Sequence, residues 1–114
     1  MIGKVFVPQV PSRYDLNIKG WVPTVNLTPA ETFGELEVLL PPEAGRMPPE
    51  ELQKILSEKL DGITENDWLL ATGDPVVIGI TAAIAASRLY GHLRILRWNK
   101  QRKSYDPVVV QLDI

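Results

Sequence analysis

Twenty residues, Trp68 to Ser87, carry a single charge, Asp74. A run of that length crosses a bilayer if it forms one helix. Here Gly73-Asp74-Pro75 divides it. Asp74 is a favourable N-cap, and Pro75 at the first helical position gives up an N–H that has no intrahelical partner. The stretch therefore reads as a buried strand, Trp68 to Thr72, then a helix over 75–90 that Gly91 closes. A mid-run charge is costly in lipid. The uncharged helical part, Val76 to Ala86, is eleven residues, the length of a buried core helix rather than a span. No membrane partner is expected.

A helix that is apolar on every side needs cover on every side. Val77, Ile80, Ile84 and Leu89 suit a sheet. The opposite face, Val76, Gly79, Ala82, Ala83 and Ala86, consists mainly of small residues that allow another backbone to approach. Two coverings are open: a second copy in a homodimer, or residues 9–32 folded over it.

The remaining segments supply a sheet for that helix. Residues 4–8 read as a strand that Pro8 stops or confines to an edge. Residues 9–32 form a proline-rich extended region, with a surface loop over Pro11 to Lys19 and an extended piece over Trp21 to Leu27. Thr28 to Glu31 has capping-box spacing, so one helical turn is expected before Gly34. Glu35 to Leu40 alternates as a half-buried strand, and 41–47 is a loop. Pro48-Pro49-Glu50-Glu51 opens an amphipathic helix with Leu52, Ile55, Leu56 and Leu60 on one stripe. His92 to Trp98 alternates, Asn99 to Lys103 is a polar turn, and Tyr105 to Leu112 is a last strand at an edge, so the two strands form a hairpin. The expected fold is α/β: a single compact domain over 1–114 with a mixed sheet of four or five strands. Its order is β-β-α-β-α-β-β, with two main helices, a Rossmann-like core and a C-terminal hairpin.

Several kinds of chemistry are poorly provided for. The chain of 114 residues has no cysteine and one histidine, which removes thiolate chemistry and an ordinary zinc site. No serine sits in an elbow motif, and His92 reads as a satisfied or solvated side chain. No cofactor and no metal is expected, and the reading leans away from an enzyme. The start, MIGKVFVPQV, lacks the apolar core and cleavage site of a secretory leader. Thr72, Gly73 and Asp74 lie where α/β folds place anions, at a strand end and a helix start. Against an anion, Asp74 is itself negative, Pro75 removes an N–H, and no G-x-G-x-x-G is present.

Charge is uneven along the chain. Residues 88–103 hold six basic residues and no acid, whereas residues 31–67 hold ten acids. Trp98 and Tyr105 accompany the basic turn. An aromatic, basic hairpin can track a phosphate backbone, and it can equally anchor a protein interface. The candidate binding surface is Arg13, Tyr14 and Trp21 of the proline-rich region with Arg97, Trp98, Lys100, Arg102 and Lys103 of the hairpin.

Four segments, VFVPQVPSRYD, WVPTVNLTPAETFGELEVLLPP, WLLATGDPVVIGITAAIAASR and LRILRWNKQRKSYDPVVV, resemble small accessory proteins of tailed bacteriophages. The resemblance covers most of the chain and implies expression in the cytoplasm of an infected bacterium and a host-directed role. It carries over no catalytic residues. The function expected is non-catalytic binding, to a host protein or to a second copy of the chain. Nucleic-acid binding through the basic hairpin is the alternative, and nucleotide or phosphate binding at Gly73 the third.

Overall fold

The computed structural model describes residues 3–113. Five strands form one mixed sheet in the order β4-β1-β5-β6-β7: β1 Lys4–Gln9, β4 Glu35–Leu40, β5 Trp68–Leu70, β6 His92–Asn99 and β7 Ser104–Gln111. The first four run parallel, and β7 is antiparallel to β6. The two main helices are α1 Pro49–Lys59 and α2 Pro75–Arg88. This is the expected α/β architecture with its C-terminal hairpin.

Strand alternation sends side chains to two faces. On one face, Phe6 and Leu39 meet Leu52, Leu56 and Leu60 of α1 and Val77 of α2, and Leu40, at the end of β4, joins the same cluster. On the other, Val5, Val7, Leu70 and Leu96 meet Ala30 and Phe33 of a short 3-10 helix, Thr28–Phe33, and Leu27 just before it. Both long helices therefore cover one face, and a six-residue turn covers part of the other. The shortest extent of the molecule, 22 Å, fits that two-layer arrangement.

Four expectations need correction. Pro8 neither stops its strand, which runs on to Gln9, nor holds it to an edge, since β1 is flanked by β4 and β5. Pairing with β5 involves only Val5 and Phe6, so Pro8 lies beyond the point where its missing N–H would matter. Pro11 to Lys19 is not a loop. Ser12–Asp15 (β2) pairs antiparallel with Gly20–Pro23 (β3) as a separate two-stranded arm. The Thr28 capping box does not form: Leu27 holds the cap position with no side-chain bond, and the turn is 3-10. Residues 41–47 contain a second 3-10 helix, Pro42–Arg46.

The flank of α2 is also uncovered. Val77, Thr81 and Ala85 are buried against the sheet, and the Thr81 hydroxyl is satisfied by donating to the Val77 carbonyl at 2.7 Å. Val76, Gly79 and Ala83 are exposed, and Ala82 and Ala86 are half-buried. Residues 9–32 do not cover this flank: Val76, Gly79 and Ala83 stay exposed, and Leu27 and Ala30 of that region pack on the opposite face of the sheet. The isolated chain tolerates an open flank because glycine and alanine carry little apolar area to leave in water.

At the amino edge of the sheet, Asp67 joins β5 to β1. Its carboxylate accepts the Lys4 N–H and the Thr64 N–H, each at 2.7 Å. His92, also at that edge, places Nδ1 3.0 Å from Gln111 Oε1.

Candidate functional site

Four parallel strands bring their carboxyl ends to one edge, and an α/β sheet presents its ligand crevice there, where successive connections leave in opposite directions. That point lies between β1 and β5, since β4 pairs on one side of β1 and β5 on the other. Here the crevice is filled by Gln9. Its Nε2 donates to the carbonyls of Pro41 at 3.2 Å and Pro42 at 2.9 Å, and its Oε1 accepts the Asp74 N–H at 2.9 Å. Gly73 packs against the same residue with φ 115°, and a Cβ there would stand 2.8 Å from the Gln9 Cβ. No other residue fits that position without strain.

The start of α2 is closed as well. Asp74 Oδ1 accepts from Val76 N–H at 2.9 Å and Val77 N–H at 3.4 Å. The Asp74 N–H goes to Gln9, and Pro75 has none to give. The N–H groups of Asp74, Val76 and Val77, which an anion at this helix start would use, are thus engaged by the chain itself. Thr72 faces elsewhere, into a separate cavity.

That cavity, about 510 Å³, lies at the end of β5 on the sheet face away from the helices. Leu70, Ala71 and Thr72 form its base, where the chain leaves the sheet two residues earlier than the sequence reading placed it. Trp98, Tyr105 and Lys103 of the β6–β7 hairpin make one wall, and Val25, Asn26 and Pro29 the other. Trp98 and Tyr105 are cross-strand partners, with ring centroids 5.0 Å apart and planes at 62°, an edge-to-face pair. Burial pushes the Tyr105 phenol above its ordinary pKa.

A second concavity of about 340 Å³ lies between the arm and the Pro42–Arg46 turn. Tyr14 and Trp21 line it together with Glu43 and Arg46. These two aromatics are paired across the arm, centroids 5.6 Å apart at 80°. The arm ends in Leu16 and Ile18, 81% and 64% exposed.

The proposed surface residues are therefore split. Tyr14 and Trp21 line one concavity, Trp98 and Lys103 the other. Arg13 alternates with Tyr14 and so faces the other side of the arm, 3.9 Å from Asp15. Arg97 alternates with Trp98 and lies opposite Asp106 on the helix-bearing face. Arg102 donates to Asp106 at 2.6 Å. The Asn99 side-chain amide also donates to Asp106, and these bonds together hold its carboxyl below the ordinary aspartate range. Among the described residues, Lys100 and Lys103 have no ion-pair partner.

Two further basic residues are structural. Arg88 donates to Ser57 Oγ at 2.8 Å, tying α2 to α1. Arg94 stacks 3.7 Å over the Trp68 ring and donates to the Asn66 carbonyl at 2.7 Å. Sequence reasoning missed Gln9, the arm tip and the Val25–Pro29 wall. Only the arm had a local signal. Both hairpins run from an Asx to a lysine with positive φ: Asp15 to Lys19 (φ 52°) and Asn99 to Lys103 (φ 51°). In each, the Asx carboxyl or amide oxygen accepts an N–H two residues on, an Asx turn.

Among the described residues, no helix is long and apolar enough to cross a membrane, and no three of His, Asp and Glu converge as a metal site. No curated protein and no solved structure matches the chain. A family model described as Phage Pam3 gp32-like protein matches residues 3–112, in agreement with the phage resemblance of its segments. Because that match takes in both hairpins, Gln9 and the α2 start, the chain belongs to the Phage Pam3 gp32-like protein family.

Proposed function

We propose that this phage protein is a non-catalytic binding protein that engages a protein of the infected bacterium, in its cytoplasm. One observation carries the reading. The crevice where an α/β sheet usually takes its ligand is plugged by Gln9, and the same edge bears two aromatic pairs, Tyr14–Trp21 and Trp98–Tyr105, of which Tyr14, Trp21 and Trp98 are exposed. Aromatic side chains beside basic ones are frequent anchors of protein interfaces, because they bury much area at little entropic cost. Polyanion tracking has less support. Arg88, Arg94 and Arg102 are engaged inside the chain, leaving few cations to neutralise phosphates.

The test compares the wild type with Trp21→Ala and Trp98→Ala in pull-downs from host lysate, followed by titration of the retained protein in purified form. Loss of that protein with either variant supports the reading. Retention by both, or binding that collapses with salt and is replaced by nucleic acid, overturns it.

A second copy is the occupant proposed for the open flank of α2, favoured by the exposure of Val76, Gly79 and Ala83 on a face that residues 28–33 do not reach. Sedimentation at micromolar concentration checks it. A dimer that Ala83→Glu dissolves is expected, and a plain monomer rules it out.

A further inference from the structure

We infer that the cavity at the end of β5 is a binding site for a small, flat, apolar anion, of the aromatic carboxylate or sulfonate class. This goes beyond the protein-partner reading and does not depend on it. The volume, about 510 Å³, lies within the roughly 300–1,000 Å³ usual for small-ligand sites. Its place, at the carboxyl end of a parallel strand, is where such folds hold ligands. With Gln9 in the crevice beside it, this is the opening at that edge with a largely apolar lining.

The lining indicates the ligand's chemistry. Leu70, Val25 and the edge-to-face pair Trp98–Tyr105 make walls suited to a planar apolar body. Thr72 and Tyr105 are the two hydroxyl-bearing residues of the lining. Charge complementarity specifies the remainder. Lys103 is the one charged residue lining the cavity, and it has no ion-pair partner among the described residues. The nearby acid, Asp106, is held by Arg102 and Asn99. Lys103 also adopts φ 51°, a conformation glycine or asparagine takes more cheaply. A single cation with two hydroxyls suits one anionic group. It does not suit a polyphosphate, for which the engaged N–H groups of α2 offer nothing.

Two dyes of nearly the same shape test the assignment: 8-anilinonaphthalene-1-sulfonate and its uncharged counterpart N-phenyl-1-naphthylamine. Each is titrated into wild type, Lys103→Asn and Ala71→Phe, with circular dichroism and melting confirming the fold of each variant. Asparagine keeps the positive φ and removes the charge. Saturable one-to-one binding of both dyes is expected. Lys103→Asn should weaken the sulfonate about three- to fivefold, the scale of one exposed ion pair, and leave the uncharged dye unchanged. Ala71→Phe, which fills the cavity, should abolish both; should it not fold, Val25→Trp fills the cavity from the opposite wall. Binding that survives the filled cavity places the dye elsewhere, on the arm for instance, and overturns the inference. So does the absence of saturable binding, or a Lys103→Asn effect that is nil or equal for the two dyes.

Discussion

The side-chain oxygen of Gln9 accepts the backbone N–H of Asp74 at 2.9 Å, so the last residue of the first strand caps the entry to the second helix across 65 positions of chain. The amide nitrogen of the same side chain holds the two carbonyls that lead out of β4. One side chain thus fixes three departures from the sheet. Replacing Gln9 with alanine strands those three backbone groups in a part-buried place. The expected loss is about 2–3 kcal/mol, read as a lower denaturant midpoint with an unchanged slope.

Gly73→Ala tests the same junction from its other side. It combines an unfavourable φ with a methyl placed against Gln9. A loss of about 2–4 kcal/mol is expected, measured by the same unfolding curve. A near-neutral result would mean that the junction is looser than its geometry.

Asp74→Ala removes the side-chain acceptor of α2 and should cost about 1 kcal/mol. Asp74→Asn should recover most of it, since asparagine caps nearly as well. Thermal melts of the two variants side by side give the comparison.

Lys19→Gly and Lys103→Gly relieve two left-handed residues. Each is expected to raise stability by up to about 1 kcal/mol, the conformational penalty of a side chain there less the extra chain entropy of glycine. The two sites lie on separate hairpins, so the gains should add.

The β6–β7 turn should respond to acid. Asp106 has its native pKa lowered, chiefly by the Asn99 hydrogen bond; desolvation opposes this, and the hydrogen bond and charge of Arg102 with the charge of Arg97 add to the lowering. A depressed carboxylate contributes stability that is present above its unfolded pKa and is lost as pH falls through the lower native value. The Asn99 side-chain amide resonances should therefore hold steady through neutral pH and shift only below the ordinary aspartate range. In Asp106→Asn that acid transition should be missing.

Much of the architecture could be read from the residues. Asp74-Pro75, the paired prolines before Glu50-Glu51 and the alternation of His92 to Trp98 each act locally, and each element forms where its signal lies. The arm was hidden because Pro11 precedes it, Pro23 ends its second strand, and two of its apolar residues, Leu16 and Ile18, sit in the turn rather than alternating along a strand. Its signal was the Asp15-to-Lys19 turn, a twin of the one at Asn99 to Lys103. The cavity could not be read at all. Val25, Leu70 and Trp98 come from three distant segments, and only the sheet order places them side by side. Gln9 was equally opaque, since a polar residue ending a strand resembles any other until the carbonyls it meets are known.

Because both helices lie on one side, the other side of the sheet is thatched by a single short turn and the strand of chain before it. That thatch is also a wall of the cavity. Lifting it would uncover Val5, Val7, Leu70 and Leu96 as well as the hollow, so the roof of the cavity and the lid of the second core layer are one and the same piece of chain.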